Sequence, residues 1–88
     1  LVSVMHWDRR RDLEGGKELG IWLLVDDSGT VERELYVESH EYRDDGFDVY
    51  TATPAGEWTH LEATDTADEA FARALEYLDD SGHDRTDH

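Results

Sequence analysis

The chain has no cysteine, no asparagine and no glutamine, a single proline, Pro54, and a single lysine, Lys17. The missing cysteine excludes a disulfide framework and every thiolate metal site. No window approaches the roughly 20 consecutive apolar residues of a membrane-spanning helix. The longest apolar run, Ile21-Trp22-Leu23-Leu24-Val25, has the length of a strand. The first residues lack the long apolar stretch and small-residue cleavage site of a secretory signal, so the expected compartment is the cytoplasm. Leu1 stands where an initiator methionine is expected, and Met5 is the alternative start.

What is abundant is negative charge. In 88 residues, 23 acidic side chains face 8 basic ones, for a formal charge of −15. Mutual repulsion on that scale opposes the compact state at ordinary ionic strength. At about 1 M salt the Debye length shrinks to about 3 Å and most of the repulsion is screened. Arg9, Arg10, Arg11, Arg33, Arg43, Arg73 and Arg85 supply nearly all the positive charge. An acidic, lysine-poor composition of this kind resembles that of haloarchaeal proteins, and the resemblance lies in composition along the whole chain. It implies a protein built for concentrated salt. Three Trp, four Tyr and two Phe, set in apolar alternation, argue for an ordered core in spite of the charge.

Residues 1–82 are expected to form one domain, because the length leaves no room for a second core. Val2 to Trp7 reads as a short edge strand and 8–18, with Gly15-Gly16, as a flexible connection. Leu19 to Val25 is apolar on both faces, as a central strand is. Val31 to Ser39 alternates: Val31, Leu35 and Val37 against Glu32, Glu34, Tyr36 and Glu38. Phe47 to Thr53 and Glu57 to Ala63 are two further strands around the Pro54-Ala55-Gly56 turn. The helix opens at Thr66 with Glu69 three residues on, a capping box. Ala67, Ala70, Phe71, Ala74, Leu75 and Leu78 follow at helical spacing as one apolar stripe. Gly82 is the natural stop, and 83–88 reads as a disordered acidic and histidine-bearing tail. The fold class is therefore α+β: an antiparallel meander of four or five strands with one C-terminal helix packed on one face.

Strict alternation sets the helix over Ile21, Leu23, Val25, Leu35, Val37, Phe47, Val49 and Leu61. The opposite face then carries Trp22, Leu24, Tyr36, Tyr50, Trp58 and His60. One helix covers one face, and a contiguous aromatic patch on the other marks an interface. A second copy of the chain, as a homodimer, or another protein is the expected partner. Sheet aromatics also stack nucleobases, but Glu32, Glu34, Glu38, Asp48, Glu57 and Glu62 around them repel phosphate. The run Arg9-Arg10-Arg11 suits pairing with the acidic surface, with a phosphate or partner contact as the sharper alternative.

No catalytic constellation emerges, and no cofactor is called for. The five histidines reproduce no metal-ligand spacing, so no metal site is assigned; His83, Asp84, Asp87 and His88 could at most chelate weakly. Asp26-Asp27-Ser28-Gly29 lacks the glutamate that completes a calcium loop.

The run from Val49 to Leu78 pairs two strands around the Pro54 to Gly56 turn, and Thr66-Ala67-Asp68-Glu69-Ala70 then opens the helix. It resembles a segment of HicB-type antitoxins over about a third of the chain. The resemblance implies a nucleic-acid-linked regulator; on that reading the run Arg9-Arg10-Arg11, which lies outside the resembling stretch, is the candidate phosphate contact. The strand order usual in that family and its DNA-binding extension are not evident. Compared with that regulator, a non-enzymatic protein-interaction module is the stronger expectation.

Overall fold

Two-residue periodicity runs to Thr64 and then gives way to the helical period, and the backbone changes with it. A computed structural model describes residues 4–40 and 46–86. Its strands are β1 (His6–Arg9), β2 (Glu18–Val25), β3 (Val31–Ser39), β4 (Phe47–Ala52), β5 (Trp58–Thr64) and β6 (Asp84–Thr86), with one helix, α1 (Ala67–Asp80). They form a single sheet in the order β5-β4-β3-β2-β1-β6.

The chain is α+β with one helix, and β1 to β5 are the expected antiparallel succession. The sheet has six strands and is mixed, which corrects the four- or five-stranded meander. Asp84–Thr86 lies parallel to β1, with Trp7 opposite Arg85. Three residues bearing Asp84 and Arg85 carry no alternation to read; tertiary structure delivers them. The Trp7 indole N–H donates to Ser81 Oγ at 2.9 Å, pinning the end of α1 to β1, and the next residues fall beside that strand. The tail expectation thus fails for Asp84 to Thr86, while Asp87 and His88 lie outside the described residues. So do Val2 and Ser3 of the expected first strand and 41–45 of the β3–β4 loop.

The segment 8–18 is more structured than a flexible connection. It holds the end of β1, a 3-10 turn at Arg11–Leu13 and a bridge between Gly15 and Glu18.

Helix α1 starts where its cap predicts. Thr66 Oγ1 accepts from the Glu69 N–H at 3.1 Å, and its hydroxyl lies 3.3 Å from Glu69 Oε1. Gly82 takes φ +78°, a left-handed value that suits glycine just past a helix end. Ala70, Ala74 and Leu78 are fully buried against Trp7, Trp22, Leu24, Leu35, Val37 and Val49. The two alanines allow the helix axis close to the sheet.

This core corrects the face assigned to β2. Trp22 pairs with Leu35, and Gly20 with Val37, so Gly20, Trp22 and Leu24 share the helix-covered face while Ile21 and Leu23 share the other. Both halves of β2 are apolar, so its own alternation could not choose. The choice was made by cross-strand register with β3, whose faces differ sharply. Gly20 makes room for it: a Cβ there would lie 2.8 Å from the Trp22 ring and 2.9 Å from that of Phe71. Leu61, also expected under the helix, lies on the helix side in a cleft with Arg73, Glu76 and Tyr77, but is 37 % exposed.

Candidate functional site

The face away from the helix is set by β3, β4 and β5 together. Across it, Glu34 stands opposite Ala52 and Ala52 opposite Trp58; Tyr36 stands opposite Tyr50 and Tyr50 opposite His60; Glu38 stands opposite Asp48. The β4–β5 register slips between Val49 and Tyr50, whose partners are Glu62 and His60. Leu61 is the extra residue of that bulge. By absorbing it, β5 turns Glu62 to the helix side and keeps Trp58 and His60 on the open face.

Small Ala52 leaves space for Trp58 to lean inward. Its ring centroid is 5.2 Å from that of Tyr36 and 6.2 Å from that of Tyr50, and Tyr50 is 5.0 Å from the His60 ring. Edge-on and tilted aromatic contacts at these spacings are favourable. Trp58 is nevertheless 57 % exposed. Its ring is therefore held in place by neighbours and still presented to solvent.

Carboxylates surround the rings. The Tyr36 hydroxyl donates to Glu34 Oε1. Burial, then that bond and the charges of Glu34, Glu38 and Glu18, push the phenol well above its usual range. Burial likewise raises the Glu38 carboxyl; Lys17, whose Nζ is 3.7 Å away, pulls it down, and Glu18 and Asp48 push it further up.

Asp48 is only 4 % exposed and is held by two imidazoles, His40 Nδ1 at 2.7 Å on Oδ2 and His60 Nε2 at 3.0 Å on Oδ1. Burial pushes its carboxyl up, but the hydrogen bonds and charges of the two histidines together outweigh burial and hold it below its ordinary value. The cluster ties the start of the β3–β4 loop to β4 and β5. The imidazoles grip opposite oxygens instead of converging, and among the described residues no three His, Asp or Glu side chains come together to hold a metal ion. Sequence reasoning missed the link between His40 and Asp48. Its one signal was that Asp48 alternates in phase with Tyr50, on the same side of β4.

Of the six residues expected to share a face, Tyr36, Tyr50, Trp58 and His60 come together, whereas Trp22 and Leu24 lie in the core on the other side. The three arginines do not form a common basic surface. Arg9 makes two 2.9 Å bonds to Glu14 and stacks 4.9 Å above Trp22 and 5.4 Å from Phe71. Its hydrogen bond is the main force holding the Glu14 carboxyl below the usual range. Arg10 pairs with Asp12 at 2.7 Å, and Arg11 is exposed.

A concavity of about 460 Å³ lies away from this face, between the end of α1 and β1 to β3, lined by Trp7, Leu24, Arg33, Tyr77 and His83 among others. Arg33 donates to the Tyr77 hydroxyl there at 2.8 Å. No helix is long and apolar enough to cross a membrane among the described residues. No protein-family model matches the chain, and comparisons with curated proteins and with solved structures find no match.

Proposed function

We propose that the protein is a non-enzymatic interaction module, acting as a homodimer or as an accessory subunit of a larger assembly, and that it works in concentrated salt. The contact surface is the open face bearing Tyr36, Tyr50, Trp58 and His60. One observation carries this: Trp58 is largely exposed yet fixed by two tyrosines, on a face that the single helix leaves uncovered. Rigid, exposed aromatic rings lose little freedom on binding and offer large contact area, which is why Trp and Tyr dominate interface energetics. The nucleic-acid alternative draws less support, because Arg9 and Arg10 are engaged by Glu14 and Asp12 and carboxylates border the aromatic face.

Sedimentation in about 1–3 M KCl, where repulsion between copies is screened, tests the contact surface. Trp58→Ala should lower the mass of any self-assembly or abolish partner binding while leaving the fold intact. An unchanged assembly would refute the assignment. The salt requirement is tested separately: transfer to dilute buffer should loosen the structure, and full stability there would refute it.

A further inference from the structure

We infer that the partner is a protein segment that adds as an extended strand along the outer edge of β5 and brings arginine or lysine side chains onto the open face. The inference rests on the interaction role proposed above and adds the partner's shape and charge.

The two edges of the sheet differ. The β6 edge is three residues long and carries Asp84 and Arg85, a short charged edge of the kind that discourages further pairing. β5 is seven residues, Trp58–Thr64, and among the described residues it pairs with β4 alone. It has no proline, lysine or arginine, and one acid, Glu62. Every residue from Trp58 to Ala63 is exposed. An added strand follows this edge, and its stretch along Trp58 to His60, before the bulge at Leu61, lies beside the aromatic patch. Main-chain hydrogen bonds then supply affinity, and alternate side chains supply selectivity.

Charge selects the occupant. Glu57 precedes the edge and Glu34 lies on the open face, whereas Glu38 and Asp48 on that face are engaged by Lys17 and by His40 and His60. Neither β4 nor β5 contains a lysine or an arginine. A second copy would present the same carboxylates with no cation to meet them at this edge. A basic strand instead sets a planar guanidinium over the exposed Trp58 ring and within reach of the carboxylates.

The test uses the full chain, isotope-labelled, in about 1 M KCl, where only groups in near contact still attract. Three synthetic strands of about eight residues, a common strand length, are titrated and followed by amide NMR: one alternating Arg with Thr and Val, one with Glu and one with Ser in place of Arg. The Arg strand should bind and move the amides of Trp58 to His60. Trp58→Ala should weaken it by about fivefold or more, and a Glu34→Gln, Glu57→Gln double variant should weaken it similarly without altering the fold. Equal binding of the Ser or Glu strand would overturn the charge selection while leaving the interaction role standing. Arg-strand shifts confined to another region would overturn the edge. Should no strand bind while β5 amides broaden with the protein's own concentration, the occupant is a second copy and the inference fails. A strictly monomeric chain that binds none of them sinks the inference, while the interaction role still stands or falls by the effect of Trp58→Ala on partner binding.

Discussion

Trp22 and Trp58 stand on opposite faces of one sheet, the first 1 % exposed and the second 57 %. Trp22 is pressed between Arg9, Phe71 and the bare backbone of Gly20. Trp58 has two tyrosines at its side and nothing of α1 above it. The same side chain is core in one place and surface in the other because α1, the one helix among the described residues, lies over the face of Trp22 and not over that of Trp58. The contrast teaches that residue type does not assign a tryptophan to core or interface. Strand register assigns the face; helix docking buries Trp22 on one side, while on the other Ile21 and Leu23 of β2 are buried and Trp58 of β5 stays exposed.

The largest effect should follow from truncating the buried ring. Trp22→Ala is expected to cost about 3–5 kcal/mol, against about 0.5–1.5 kcal/mol for Trp58→Ala, which forfeits only ring contacts. Denaturant titrations at fixed KCl check both, and equal losses would erase the difference between the faces. Trp22→Phe should lose less than Trp22→Ala, since it keeps a ring at the site and removes an indole N–H that has no hydrogen-bond partner among the described residues.

Next comes the space beneath that ring. Gly20→Ala forces a methyl against Trp22 and Phe71 and should cost about 1–3 kcal/mol. In a domain of this size that lowers Tm by roughly 4–8 °C per kcal/mol. An unchanged melting curve would mean that the glycine does not set the packing.

On the open face the effects are electrostatic. Asp48 titrates below its unfolded value of about 3.9 when folded, so its contribution is complete above that value and lost as pH falls through the folded one. Glu14 behaves in the same way. Stability should therefore decline on acidification through the carboxylate range. Asp48→Asn, which leaves His40 and His60 without their charged partner, should flatten that decline and cost about 1–3 kcal/mol at neutral pH. A wild-type acid profile in the variant would count against the cluster.

The smallest effect has the opposite sign. Glu38 titrates above its ordinary value, so protonation favours the folded state and the charge costs stability once pH exceeds the folded value. Glu38→Gln should stabilise at neutral pH by up to about 1 kcal/mol, less in high salt. Destabilisation would show that Lys17 outweighs burial there.

Much of this was legible in the residues and some of it was not, and the dividing line is physical. The helix, its Thr66 cap and its buried alanine stripe, the body of β2 to β5, and the two-faced character of β3 follow from local periodicity and capping chemistry. These depend on residues three or four apart and need no knowledge of the rest of the chain. Alternation also groups Tyr36, Tyr50, Trp58 and His60 on one face, and a bulge that no pattern announced keeps Trp58 and His60 there. The tertiary structure alone decided which half of β2 packs beneath the helix, because both halves are apolar and only pairing with Leu35 and Val37 separates them. It alone brought Asp84 to Thr86 beside β1, through a helix pinned by Trp7, and it alone closed His40 and His60 on Asp48. Each of these is a contact between residues distant in sequence or in different strands. Such contacts are set by register and docking, which no local window contains.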